Sequence, residues 1–444
     1  MARLAILGGR ESGVGAALLG QKQGYEVFLS DFGNIPDSYR GELETAEITF
    51  EQGGHTPEQI LNADLVVKSP GIPEKAPIVQ QIRRAGIDLI SEVEFAARHT
   101  DGRLIAITGS NGKTTTALLM HHLLQTAGVD AALAGNVGDS FAKMVAHEQH
   151  DYYVLEVSSF QLDDIDRFRP WIAVLTNITE DHLDRYEYSL RKYADAKFRI
   201  TENQTGEDHF IYNLDDPVTM ELMGKKTIEA QQYGFAYERT AEAVAWVEHN
   251  AIQLEMNLEN SAFSIDAMTL QGRHNMYNSM AAAIVGNIMS LRKDKIRNSF
   301  MDFRNAEHRL EKVAMVRGIE FINDSKATNV NSTWYALESI ERPIIWIAGG
   351  VDKGNDYNNL LPLVEKKVRC IVALGQDVLK IHQAFSRKVE MIVNTGSMPE
   401  AVELSYHLAN KGDCVLLSPA CASFDLFEDY QDRGRQFKQS VREL

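Results

Sequence analysis

Leu104-Ile105-Ala106-Ile107-Thr108 runs directly into Gly109-Ser110-Asn111-Gly112-Lys113-Thr114-Thr115, and the rest of the architecture is organised around this junction. The first segment has the composition of a buried strand. The residues after the loop, through Leu118, Leu119, His122 and Leu123 to Gly128, carry the apolar spacing of a helix. A strand, a glycine loop and a helix in that order place successive backbone N–H groups and a helix N-terminus around one concave point, which suits a phosphate. Lys113 can reach the β- and γ-phosphates, and the hydroxyl of Thr114 or Thr115 can sit on Mg2+. Ile107 stands where the first glycine of GxxxxGK[ST] belongs, so this loop is shorter than the usual one. A plain glycine turn with a solvated lysine does not require the flanking strand and helix or the two threonines, so Gly109 to Thr115 are assigned to ATP.

Downstream, Tyr152 to Val157 and Ile172 to Thr176 look like further buried strands. Ligands gather beyond the carboxyl ends of strands in open α/β sheets. Glu156 lies at such an end, on a strand otherwise too apolar to hold a charge without cause. The pattern fits a Mg2+ ligand, with an N-capping or ion-paired glutamate as the alternative. His182, in Glu180-Asp181-His182-Leu183-Asp184, is a second metal-ligand candidate, although a loop histidine alone is commonly just polar. Lys197, taken by itself, reads as a surface lysine.

Upstream lies a second strand–turn–helix. Leu4 to Leu7 leads into Gly8, Gly9, Gly13 and Gly15, and Glu26 to Ser30 ends at Asp31. Arg10 occupies the second glycine of GxGxxG, which disfavours a dinucleotide and argues against an NAD-dependent dehydrogenase. A strand at Asp64 to Val67 enters Ser69-Pro70-Gly71-Ile72, and a helical segment spans Glu92 to Arg98. After the phosphate-loop block, residues 232–268 suggest a β-rich meander, and a helix follows Gly272-Arg273-His274-Asn275. A third block carries strands near Ile319–Ile322, Ile344–Ala348, Cys370–Leu374, Met391–Val393 and Val415–Leu417, separated by helical stretches. A parallel sheet with right-handed crossovers is expected there. The expected fold is therefore α/β with three domains, at 1–98, 99–302 and 303–444.

Composition bounds the function. The chain has 444 residues and a formal net charge of −17, which disfavours nucleic acid and anionic lipid as partners. Three cysteines make no disulfide framework, and no apolar run approaches the roughly 20 residues of a membrane span. A cytoplasmic protein is expected.

GSNGKTT, LEVSSFQL, NITEDHLDRY, YADAKFRI, GRHNMYNSMAA, EHRLE, NDSKATN and SPACASFD occur in this order, and with them the whole chain resembles the Mur ligases. NDSKATN and SPACASFD are similar to the branch that joins D-glutamate to UDP-N-acetylmuramoyl-L-alanine through an acyl phosphate. The resemblance implies a Rossmann-like UDP domain, a central P-loop ATPase domain and a C-terminal Rossmann-like amino-acid domain, in a monomer using ATP and two Mg2+ ions. It implies metal ligation by Thr114, Glu156, His182 and a carbamylated Lys197, which reverses the surface reading of that lysine. It further implies nucleotide contacts at Asn275, Arg309 and Asp324, and a uridine-nucleotide site at Ser12, Asp31, Ser69 and Gly71. Asn136 would lie near the muramoyl group, with Lys326, Thr328, Lys353, Ser423 and Phe424 at the amino-acid pocket. Glu11 and Tyr430 depart from the family pattern. A folate-type or other Mur-type amide ligase is the nearest alternative. A nucleotide switch is the alternative of another class, distinguished by phosphate release that needs no amino acid.

Overall fold

The computed structural model describes residues 1–256, 259–305, 307–352 and 354–444. Three sheets carry the fold. The first is wholly parallel, with β1 (Arg3–Leu7), β2 (Glu26–Asp31), β3 (Thr49–Gln52), β4 (Leu65–Lys68) and β5 (Asp88–Ser91) in the order β3-β2-β1-β4-β5. Connections leave β1 toward opposite edges, so a crevice opens where the loops after β1 and β4 meet. Ser69 N donates to Leu7 O (3.0 Å) at that point.

The central sheet contains β6 (Arg103–Thr108), β7 (Ala131–Gly135), β8 (Tyr152–Glu156), β9 (Ile172–Leu175), β10 (His209–Asn213), β11 (Gln231–Phe235), β12 (Ala243–Glu248), β13 (Ala251–Met256) and β14 (Glu259–Ser264). Their order is β14-β13-β12-β11-β10-β9-β6-β8-β7. β6 lies between β8 and β9, so the phosphate loop leaves the sheet at a switch point. β9 is buried along its whole length, as expected of a parallel strand covered on both faces. The expected meander is present as the antiparallel edge β12-β13-β14 of this same sheet, joined to it through a parallel β11–β12 pair.

The third sheet has β15 (Glu311–Val316), β16 (Ile319–Asn323), β17 (Ile344–Ala348), β18 (Val368–Leu374), β19 (Met391–Thr395) and β20 (Cys414–Leu417), in the order β15-β16-β20-β17-β18-β19. It is parallel except at β15, which pairs antiparallel with β16 and departs from the all-parallel expectation. A tight turn at Arg317 (φ 49°) and Gly318 (φ 87°) makes that hairpin.

The chain forms two compact units, one of residues 1–269 with 276–303, the other of residues 270–275 with 304–444. The first two sheets share one unit because buried polar contacts join them. Lys68 Nζ lies 2.9 Å from Asp164 Oδ2, both side chains almost wholly buried, and Arg83 pairs with the same carboxylate. Glu94 Oε2 accepts the N–H groups of Asp166 (3.0 Å), Arg167 (2.9 Å) and Phe168 (2.7 Å). Among the described residues no helix is long and apolar enough to cross a membrane.

Candidate active site

The phosphate loop is held open by glycine. Gly109 has φ +147°, and a Cβ there would stand 1.9 Å from Thr176 Oγ1. Gly112 (φ +85°) caps the helix Lys113–Ala127 in the left-handed region, and its missing Cβ leaves room for Asn278. Ser110 N donates to Asn177 O (2.8 Å) and Asn111 N to Asn177 Oδ1 (3.0 Å), so the strand end after β9 fixes the loop's shape.

Five of the expected residues converge here. Thr114 Oγ1 donates to Glu156 Oε2 (2.7 Å), and Asn136 Nδ2 donates to Glu156 Oε1 (3.2 Å). Glu156 is buried at the end of β8, as its strand position suggested. Lys197 is 1% exposed and donates to Gly109 O (2.8 Å). The surface reading from local sequence therefore fails. Lys113 Nζ donates to the same carbonyl (2.7 Å) and to Ser110 O (2.8 Å). Burial first, then the neighbouring Lys113 charge, hold the Lys197 ammonium well below the usual lysine range. An amine in that state is a competent nucleophile toward carbon dioxide. His182 is partly exposed, adopts the left-handed conformation (φ 51°), and has Nε2 3.7 Å from Asp181 Oδ2.

Lys113, Asn136, His182, Lys197 and Gly71 border one cavity of about 300 Å³. Sequence reasoning missed Phe160, Asp181, Arg185 and Tyr193, which also line it. Three of these sit inside motifs already singled out, NITEDHLDRY and YADAKFRI, and Phe160 is in LEVSSFQL. Two larger clefts, about 620 and 630 Å³, open at the opposite strand ends around Arg103. Arg98 there is paired with Glu94 and Arg169 with Asp208, which leaves the phosphate-loop cavity as the candidate site.

A divalent cation suits the Thr114–Glu156 pair only if other donors join it. Among the described residues no three His, Cys, Asp or Glu side chains gather as a metal cage. Mg2+ commonly takes one or two carboxylates plus phosphate oxygens and water, and the donor set present matches that habit.

At the first sheet, Asp31 accepts Gly9 N (2.6 Å) and Gly33 N (2.7 Å). Ser69 Oγ is buried with no hydrogen-bond partner among the described residues, and a Cβ on Gly8 (φ +102°) would lie 2.6 Å from it. Such an orphaned hydroxyl beside a glycine cradle fits a ligand oxygen. Ser12 lies in the first turn of the helix Glu11–Lys22, and Gly71 borders open space.

The remaining expected residues belong to the second unit. Asp324 accepts Ser418 Oγ (2.8 Å) and Leu310 N (3.2 Å), and burial pushes its carboxyl up to about 7. His274, beside Asn275, is lowered to about 4 by burial and by Arg309. Lys326 Nζ lies 5.4 Å over the Tyr430 ring, and Thr328 N donates to Lys326 O (3.0 Å). Ser423 is buried and Phe424 is 71% exposed. Lys353 lies outside the described residues.

The chain matches the Mur ligase middle domain over residues 107–286, the Mur ligase glutamate ligase domain over 308–421 and the MurD N-terminal domain over 11–78. It is 52% identical to a UDP-N-acetylmuramoylalanine–D-glutamate ligase of Christiangramia forsetii over 442 residues, covering 100% of this chain and 99% of that protein. A ligase of the same name from Bacteroides fragilis is 51% identical over 448 residues, with both chains covered in full. Among solved structures, a pseudomurein peptide ligase type C of Methanothermus fervidus is similar (TM-score 0.63, 19% identity, 100% of both chains). So is a MurF ligase of Thermotoga maritima in complex with ADP (TM-score 0.60, 13% identity, 87% of this chain and 91% of that one).

Proposed function

The chain belongs to the Mur ligase family, and on that premise we propose that it joins D-glutamate to UDP-N-acetylmuramoyl-L-alanine in the cytoplasm, with ATP converted to ADP and phosphate. The observation that carries this reading is the shared carbonyl. Lys113, the residue before Thr114 of the Thr114–Glu156 pair, and Lys197 meet at Gly109 O, and both lysines line a cavity that also reaches Gly71.

A carboxylate does not acylate an amine in water, so it is first activated. The alanyl carboxylate oxygen bonds to the γ-phosphorus as the bond to ADP breaks, giving an acyl phosphate. Lys113 and the loop amides hold the transferring oxygens and stabilise their charge. Asn136 orients the acid from the far side of Glu156. The D-glutamate amine then bonds to the acyl carbon, phosphate departs with the C–O electron pair, and the amine releases one proton. Thr114, Glu156, His182 and Lys197, the last as a carbamate, would hold Mg2+, which supplies positive charge to the phosphate oxygens when bound. Lys326, Thr328, Ser423 and Phe424 form the acceptor pocket. Lys326 supplies the cation that a glutamate side chain requires.

Phosphate release from ATP and UDP-N-acetylmuramoyl-L-alanine, measured with D-glutamate, L-glutamate, L-alanine or a diamino acid, tests the proposal. Only D-glutamate should support turnover. Release without any amino acid would indicate a nucleotide switch instead.

A further inference from the structure

Arg185 stands in the cavity wall with no part in the chemistry above. Nη1 donates to Gly71 O (3.3 Å), and Nη2 donates to Pro70 O (3.4 Å) and Ile72 O (3.3 Å). Among the described residues no carboxylate pairs with it. Nearby arginines of this acidic chain do find one, Arg191 with Asp195 (3.0 Å) and Arg199 with Glu202 (2.8 Å). Long bonds to neutral carbonyls satisfy a guanidinium poorly, since its charge-assisted bonds run near 2.7–2.9 Å.

The side chain is nonetheless held in place. Its guanidinium carbon lies 4.5 Å over the Phe160 ring. Phe160 in turn stacks on Tyr186 (5.9 Å, 8° between planes), whose hydroxyl donates to Asp163 (2.8 Å). The Phe160 ring also meets the His182 ring edge-on at 5.3 Å. A half-buried guanidinium is thus fixed between the Gly71 loop and the Lys113–Asn136 side of the cavity, bonded only to groups that an anion outcompetes.

We propose that Arg185 binds an oxyanion of the muramoyl substrate, exchanging its three carbonyl bonds for a bidentate charge-assisted pair. The proposal rests on the donor substrate named above. That substrate offers two oxyanions of this chemistry, the nucleotide diphosphate and the alanyl carboxylate.

Calorimetric titration of the full chain with UDP-N-acetylmuramoyl-L-alanine, without ATP, tests it on the parent protein, Arg185→Gln and Arg185→Lys. Arg185→Gln should weaken binding about 10- to 100-fold, and Arg185→Lys should do so less, with ATP affinity unchanged in both. UDP alone serves as the second ligand. An equal loss for UDP assigns the diphosphate, whereas a loss confined to the full substrate assigns the carboxylate. Arg185→Gln binding the substrate like the parent would overturn the proposal. So would a loss of ATP affinity and melting temperature of matching size in both variants, which marks a mere clamp on residues 70–72. Failure of the parent protein to bind the substrate at all would count against the donor assignment, not against Arg185.

Discussion

Two glycine loops, one after β1 and one after β6, leave neighbouring parallel sheets at equivalent switch points, yet their charges differ. Around Gly109–Thr115 two lysines converge on one carbonyl, and a threonine touches a buried glutamate. Around Gly8–Ser12 the Asp31 carboxylate occupies Gly9 N, while Glu11 accepts Ser140 N (3.2 Å). Arg10 caps the following helix without a side-chain hydrogen bond. On the function proposed above, the same strand–loop–helix would serve bond-making at Gly109–Thr115 and only holding at Gly8–Ser12. A phosphate pressed onto Gly9 N would face Asp31, so an anion at the first loop would be met better by neutral donors such as Ser69 Oγ.

Deleting the cation of the second loop should do most to erase this contrast. Lys113→Met is expected to lower kcat/KM about 1,000-fold, measured as D-glutamate-dependent phosphate release. Lys197→Ala should follow with a loss of about 100-fold, partly restored by added acetate or propionate standing in for a carbamate. An intact mass lacking the added 44 Da, together with no rescue, would remove the carbamate from the scheme, 44 Da being roughly the mass of carbon dioxide added to an amine. At the first loop the effects should be on binding. Ser69→Ala is expected to raise KM for the muramoyl substrate about 10-fold and leave kcat unchanged, and a fall in kcat instead would blur the distinction. Gly13→Ala should act on stability alone, because its Cβ would stand 1.8 Å from Gly8 O, and overpacking of this kind costs about 1–3 kcal/mol. A chemical denaturation midpoint measures it.

The smallest effect concerns Glu92, beneath the first loop. Its Oε1 accepts Ala142 N (2.6 Å), and burial lifts its carboxyl from 4.5 to about 7. Between those values the folded chain keeps a proton that the unfolded chain has released, so stability falls as pH rises through that window. Glu92→Gln should flatten this slope in melting temperatures taken from pH 4.5 to 8, and an unchanged slope would show that another group sets it.

How much of this was legible in the sequence follows from where the information is local. Gly109 to Thr115 and Glu156 announce themselves because phosphate chemistry fixes their order and spacing, whereas Asn136 comes only from the family resemblance. Lys197 does not, since Tyr193-Ala194-Asp195-Ala196-Lys197 reads as an ordinary helix end, and the partner that receives its ammonium, Gly109 O of the phosphate loop, is 88 positions away. β3 escaped notice because none of its side chains is fully buried, and β15 because its half-buried side chains show no clean alternation. Arg185 was invisible for a related reason, since its role depends on carbonyls more than 110 positions away.

The buried polar joint between the first two sheets bears on how the protein comes apart. With Glu94 accepting three successive amides and Lys68 sealed against Asp164, opening that joint would break these charge-assisted bonds together. Partial unfolding there is therefore suppressed, and these two sheets should melt as one calorimetric transition. The amides of residues 166–168 should then exchange with deuterium only when that whole unit opens.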